Sequence, residues 1–85
     1  MKKAAVILNT GKENAINLAS DIIKWLSTHE IDIMLESDAA SLLGLSISAV
    51  TEEKLQQSDF AIVLGGDGTL LRASRILSPF GIPIL

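Results

Sequence analysis

One stretch of this sequence constrains the fold more than any other: Phe60-Ala61-Ile62-Val63-Leu64-Gly65-Gly66-Asp67-Gly68-Thr69-Leu70-Leu71-Arg72-Ala73-Ser74-Arg75. Its five leading apolar residues, Ile62 and Val63 among them, have the composition of a central strand buried on both faces. Beyond the glycines, Leu70, Ala73, Ser74 and Leu77 recur at helical spacing, with Arg72 and Arg75 on the other face. The pattern predicts a strand, a tight glycine loop and a helix N-terminus. In an open α/β sheet this is where ligands bind, at the carboxyl end of a strand.

The loop residues suit that position. Gly65, Gly66 and Gly68 are free to take positive φ and put no Cβ between the backbone and an approaching ligand. The unpaired N–H groups that open the next helix favour an anion such as a phosphate. Asp67 brings one carboxylate, able to accept a proton, bind a ribose hydroxyl or hold a metal. Thr69 can cap the helix or donate its hydroxyl to a ligand. An alternative is a hairpin turn at Asp67-Gly68, but the residues that follow do not alternate as a strand would. No Lys-Ser/Thr pair follows the glycines as a Walker A loop requires, and the third glycine of a dinucleotide fingerprint falls on Leu71.

Gly65-Gly66-Asp67-Gly68-Thr69, continued by Leu70-Leu71-Arg72-Ala73-Ser74-Arg75, resembles the first signature of the NAD kinases. The core of that signature is shared with diacylglycerol and sphingosine kinases and has a close relative in phosphofructokinases. The lipid kinases usually continue with Asn-Glu after the first leucine, so the tail favours the NAD kinases. The resemblance implies that Asp67 is the general base toward the 2′-hydroxyl of the adenosine ribose. It also implies that Asp67, Gly68 and Arg72 contact NAD, with the glycines as a phosphate-accommodating backbone and Thr69 among the substrate- or cofactor-binding residues. The implied reaction moves a phosphoryl group from ATP, or in some members polyphosphate, to NAD, giving NADP. A divalent metal, Mg²⁺ by preference, would bridge the phosphates. A lipid- or sugar-kinase fragment and a non-catalytic nucleotide-binding module are the competing classes.

Eighty-five residues make one small domain, and a hydrophobic fraction of 48% with only 4% aromatic suits a parallel sheet flanked by helices. The expected class is therefore α/β, a Rossmann-like parallel sheet, with βαβ units. A net charge of −3 without a basic run argues against nucleic acid as partner. The absence of cysteine excludes disulfides and thiolate metal sites and suits a reducing cytosol. Met1-Lys2-Lys3 has the charge of a leader opening, but the apolar run Ala4 to Leu8 is too short for one. No apolar stretch is long enough to span a membrane. A cytoplasmic protein is expected.

In order along the chain, Ala4 to Leu8 predicts the first strand, closed by Asn9-Thr10-Gly11-Lys12. A helix is expected over about Glu13 to Thr28, with Ala15, Leu18, Ala19, Ile22, Ile23 and Leu26 as its apolar stripe and Trp25 packing on the sheet beside it. Lys12 is within reach of a phosphate, although a solvated lysine is the commoner outcome for a loop. His29 lacks a second ligand at metal spacing, and no metal ligands are assigned. Ile31 to Leu35 predicts a second strand nearer the sheet edge. Ser37 or Asp38 would cap a short helix that Gly44 terminates, Leu45 to Val50 reads as a connection, and Thr51 caps another short helix. Ser78-Pro79-Phe80-Gly81 breaks the signature helix, and Ile82 to Leu85 starts a further strand. An apolar strand at that position leaves an edge in need of a neighbour, from which self-association into a homo-oligomer is expected. NAD kinases are around three times this length, so residues 1–85 read as a partial amino-terminal domain. The β-rich carboxy-terminal domain of the family is absent from the sequence, and this chain alone is expected to be inactive.

Overall fold

Strand β1 (Lys3–Leu8) is buried throughout Ala4 to Leu8. The run Ala4–Leu8 carries no polar side chain on either face and must be covered on both, and it is. The computed structural model describes residues 2–85; Met1, part of the basic start considered above, lies outside the described residues. Strands β2 (Asp32–Leu35) and β3 (Phe60–Leu64) flank β1 in the order β2-β1-β3, and both pairings are parallel. Ala4 lies opposite Ile33, Val6 opposite Ile62 and Leu8 opposite Leu64. Ile84 makes a further parallel bridge to Ala61, supported by the Leu85 amide donating to the Ala61 carbonyl at 2.8 Å. The expected parallel sheet is present. Its most buried strand is β1 rather than β3, whose side chains are mostly half-buried because only the short Ile82–Leu85 run lies along its outer edge.

Alternation along β1 divides the core into two layers. Ala4, Val6 and Leu8 pack with Ala19, Ile23 and Leu26 of helix α1 (Glu13–Thr28) and with Ala39 and Ala40 of helix α2 (Ser37–Leu43). Ala5 and Ile7 meet Leu55 of helix α3 (Glu52–Leu55) and Ala73, Ile76 and Leu77 of helix α4 (Asp67–Leu77). Small residues on β1 and on the facing helices let the layers approach closely. The result is an α/β domain with a parallel sheet between helices. Among the described residues no helix is long and apolar enough to cross a membrane.

Several boundaries follow the sequence signals. Helix α1 has the expected bounds, Gly44 ends α2 in the left-handed conformation (φ 69°), and Thr51 Oγ1 accepts from the Lys54 amide at 3.3 Å. Other details differ. Ser37 and Asp38 are the first residues of α2 instead of its cap, and Asp38 Oδ1 accepts from the adjacent Ala39 amide at 2.9 Å. Trp25 does not pack on the sheet: it is 57% exposed and stacks on His29 with ring centroids 3.8 Å apart. At roughly 100° per residue Trp25 and Leu18 fall at the outer margin of the α1 stripe, and both stay outside.

The buried face of α4 consists of Thr69, Ala73, Ile76 and Leu77, turned by roughly 60° from the Leu70-Ala73-Ser74-Leu77 stripe expected from spacing. Leu70 is consequently half-exposed, and Arg72 swings from the solvent side toward the sheet. Leu77→Ala should therefore cost about 2–5 kcal/mol, out of the roughly 4–13 kcal/mol available to a chain of this size. Leu70→Ala should cost less than about 1 kcal/mol. Urea midpoints of the two variants check this, and equal losses would restore the original stripe.

Candidate functional site

Because β1 and β3 end level at Leu8 and Leu64, the loops that follow them lie side by side. The Asn9 amide donates to the Leu64 carbonyl at 2.9 Å, and Asn9 Oδ1 accepts from the Gly11 amide at 2.9 Å, folding the first loop over the second. Gly65 has φ 150°; a Cβ there would lie 2.7 Å from Thr69 Oγ1 and 3.0 Å from Asn9 Cβ. Glycine is therefore required at this position on both conformational and steric grounds. It is the one loop glycine with positive φ. Gly66 is extended, at φ −100° and ψ −168°, and Gly68 is already helical with open space where its Cβ would be.

Helix α4 starts at Asp67, with Gly66 at its N-cap and no side chain capping it among the described residues. The expected Thr69 cap is not formed: Thr69 is the third helical residue, 7% exposed, and props the loop from beneath. The amides of Gly66, Asp67 and Gly68 have no partner among the described residues, while those of Thr69 and Leu70 return to the Gly66 carbonyl at 3.1 and 3.2 Å. These three donors and the positive end of the helix dipole make an anion-seeking surface. Asp67 stands exposed on it.

The loop separates two clefts of about 300 Å³ each. Gly68, Thr69 and Arg72 share one with Leu8, Asn9 and Thr10. Gly65, Gly66 and Asp67 share the other with Val63, Leu70, Ile84 and Leu85. Asp67 and Arg72, expected on one ligand, thus occupy different sides of the loop, as a five-residue separation on a helix dictates. The bare Gly68 backbone is the bridge between them. A larger depression, about 610 Å³ between Ile31, Ile33, Ile47 and Val50, contains Glu30 and Asp32 but no glycine loop and no cation.

Two more residues join the site: Lys12, which the sequence put within reach of a phosphate, and Glu36, which no sequence signal had singled out. Lys12 stays exposed, yet its Nζ lies 3.2 Å from where a Gly66 Cβ would be, so its ammonium overhangs the glycine loop. The adjacency of parallel strands β1 and β3 brings it there. The other is Glu36, which follows β2 at the same edge of the sheet. Arg72 Nη2 donates to the Leu8 carbonyl at 3.1 Å and lies 3.2 Å from Glu36 Oε1. Burial pushes the Glu36 carboxyl above its ordinary range; Arg72 opposes this, and Asp38 and Glu52 add to it. Arg72 Nε is buried without a partner among the described residues. Nor do three or more metal-ligating side chains come together among them.

Comparison with known proteins bears on this geometry. Residues 4–85 match the family model described as the ATP-NAD kinase N-terminal domain. The chain is 38% identical over 85 residues to an NAD kinase of Thermoanaerobacter sp. (strain X514), covering 99% of this chain and 30% of the relative. It is 35% identical over 86 residues to the NAD kinase of Natranaerobius thermophilus, again 30% of that protein. Against the NAD kinase of Chlorobium phaeobacteroides identity is 39% over 73 residues, or 86% of this chain and 26% of the relative. The chain thus spans about 30% of the length of the curated relatives it matches. With the match extending over nearly all of its residues, this chain belongs to the ATP-NAD kinase N-terminal domain family.

Proposed function

We propose that this chain supplies the amino-terminal part of an NAD kinase active site. That site passes a phosphoryl group from ATP or polyphosphate to the adenosine 2′-hydroxyl of NAD. The observation that carries the reading is the Gly65–Thr69 loop, with three amides unpaired among the described residues and an exposed carboxylate at one helix start, in a chain of this family. Asp67 is the general base: exposed and without a hydrogen-bond partner among the described residues, it is free to take the hydroxyl proton as the 2′-oxygen attacks phosphorus. Gly68 lets the ribose approach the backbone, and the amides of Gly66, Asp67 and Gly68 meet phosphate oxygens. Arg72 contributes a cation on the far side of Gly68, so NAD lies across the loop, with contacts in both clefts. Gly65 and Thr69 hold the loop in shape.

Phosphoryl transfer rests on positioning and charge stabilisation. Asp67 is the single carboxylate of the loop, which fits a metal carried mainly on donor phosphates rather than held in a protein cage. Mg²⁺ would neutralise the charge on those phosphates. A cytoplasmic setting belongs to the same reading.

In a polypeptide that continues residues 1–85 to the length of the relatives, Asp67→Asn should lower kcat by about 10²- to 10⁴-fold. The KM for NAD should change little. Unchanged kcat in steady-state NADP formation would reduce Asp67 to a helix-start carboxylate, a role worth about 0.3–1 kcal/mol. Arg72→Ala should instead raise the KM for NAD with a smaller effect on kcat, because it removes a contact already present in the ground state. An unaltered KM would remove Arg72 from the site.

A further inference from the structure

The geometry points to Glu36 as a positioning residue that holds the Arg72 guanidinium in place at the cleft, ready for a nucleotide. This inference rests on the nucleotide reading of the cleft given above. It begins from three backbone ends. Leu8 closes β1, Glu36 follows β2, and Arg72 lies on the helix that follows β3, so one side chain joins the carboxyl ends of all three strands.

The two anchors act on one nitrogen. Nη2 donates to the Leu8 carbonyl at 3.1 Å and stands at ion-pair distance, 3.2 Å, from the Glu36 carboxylate. Leu8 by itself would fix a point but leave the planar group free to turn about it. The Glu36 carboxylate, paired with the same nitrogen from another side, restrains that turn. The other donors of the fork remain without partners among the described residues, in a side chain that lines the cleft with Asn9, Thr10 and Gly68.

The placement of Glu36 is not that of an incidental surface acid. It is half-buried, its side chain only 18% exposed, and burial works against its ionised form. Asp38 and Glu52 press in the same direction, and Arg72 is the one group that offsets them. Holding a carboxylate there has a cost, and its visible effect is to orient Arg72. An arginine ordered before the ligand arrives loses less freedom on binding than one that must be ordered by it.

The test compares Glu36→Ala and Glu36→Gln in the 85-residue chain. Nitrogen-15 relaxation of Arg72 Nε, without ligand, reads the order of the guanidinium directly. Glu36→Ala should make it mobile, whereas Glu36→Gln, which keeps an acceptor oxygen, should retain most of the order. With NAD as probe, equilibrium dialysis should show roughly two- to tenfold weaker binding for Glu36→Ala. In an Arg72→Ala background the same substitution should have no further effect. Unchanged Nε order in Glu36→Ala, or a loss of affinity that persists without Arg72, would overturn the inference. A wild-type chain that binds no NAD while Nε order still depends on Glu36 would support the anchoring and count against the nucleotide reading of the cleft.

Discussion

The parallel ladder between β1 and β3 is the constraint on which the rest depends. Its register, running from Ala4 opposite Phe60 to Leu8 opposite Leu64, ends both strands at the same level. A shift of one residue would turn every β1 side chain to the wrong layer, so the two-sided core enforces the pairing. The same register lays the Asn9–Lys12 loop against the glycine loop, with the Asn9 amide bonded to the Leu64 carbonyl. Core packing and site geometry are therefore two consequences of one pairing.

Helix α4 is the second member of this arrangement. Ala73, Ile76 and Leu77 bury it against Ala5, Ile7 and Ala61, and that contact aims its free N-terminal amides past the end of β3. Thr69 packs beneath Gly65 in a space that admits no Cβ at that glycine. The loop's shape is thus set from below by packing, leaving its upper surface, Gly66 to Gly68, for chemistry. Arg72, tied to Leu8 and Glu36, holds the flank of the helix to the sheet edge.

Much of this was legible in the sequence because it depends on local pattern. The run Phe60–Leu64, the glycines and the helical spacing beyond them define strand, loop and helix without knowledge of any neighbour. Helix α1 and the left-handed Gly44 stop were readable for the same reason. What escaped depends on which elements touch. The turn of α4 about its axis is decided by Ile76 packing under the sheet, and only that turn brings Arg72 to the Leu8 carbonyl. Glu36 is distant from the signature in sequence and reaches it through strand adjacency alone, and the same adjacency carries Lys12, already a phosphate candidate in the sequence, over the glycine loop. A residue at the margin of an apolar stripe can turn either way, and Trp25 lies on the outside, stacked on His29. The roles given to Asp67, Gly68 and Arg72 rest on resemblance and chemistry, and geometry adds that they flank the loop on two sides.

The proposed function requires that the glycine loop of this chain receive NAD. Amide chemical-shift mapping during titration of NAD into the isotope-labelled 85-residue chain tests it most directly, since fast exchange reports even weak contacts. The largest shifts should fall on Gly66, Asp67, Gly68 and Thr69, with smaller ones at Asn9 and Arg72. A folded chain whose shifts fall elsewhere, along the β2 edge around Ile31 and Ile33 for example, or show no response to NAD, would contradict it.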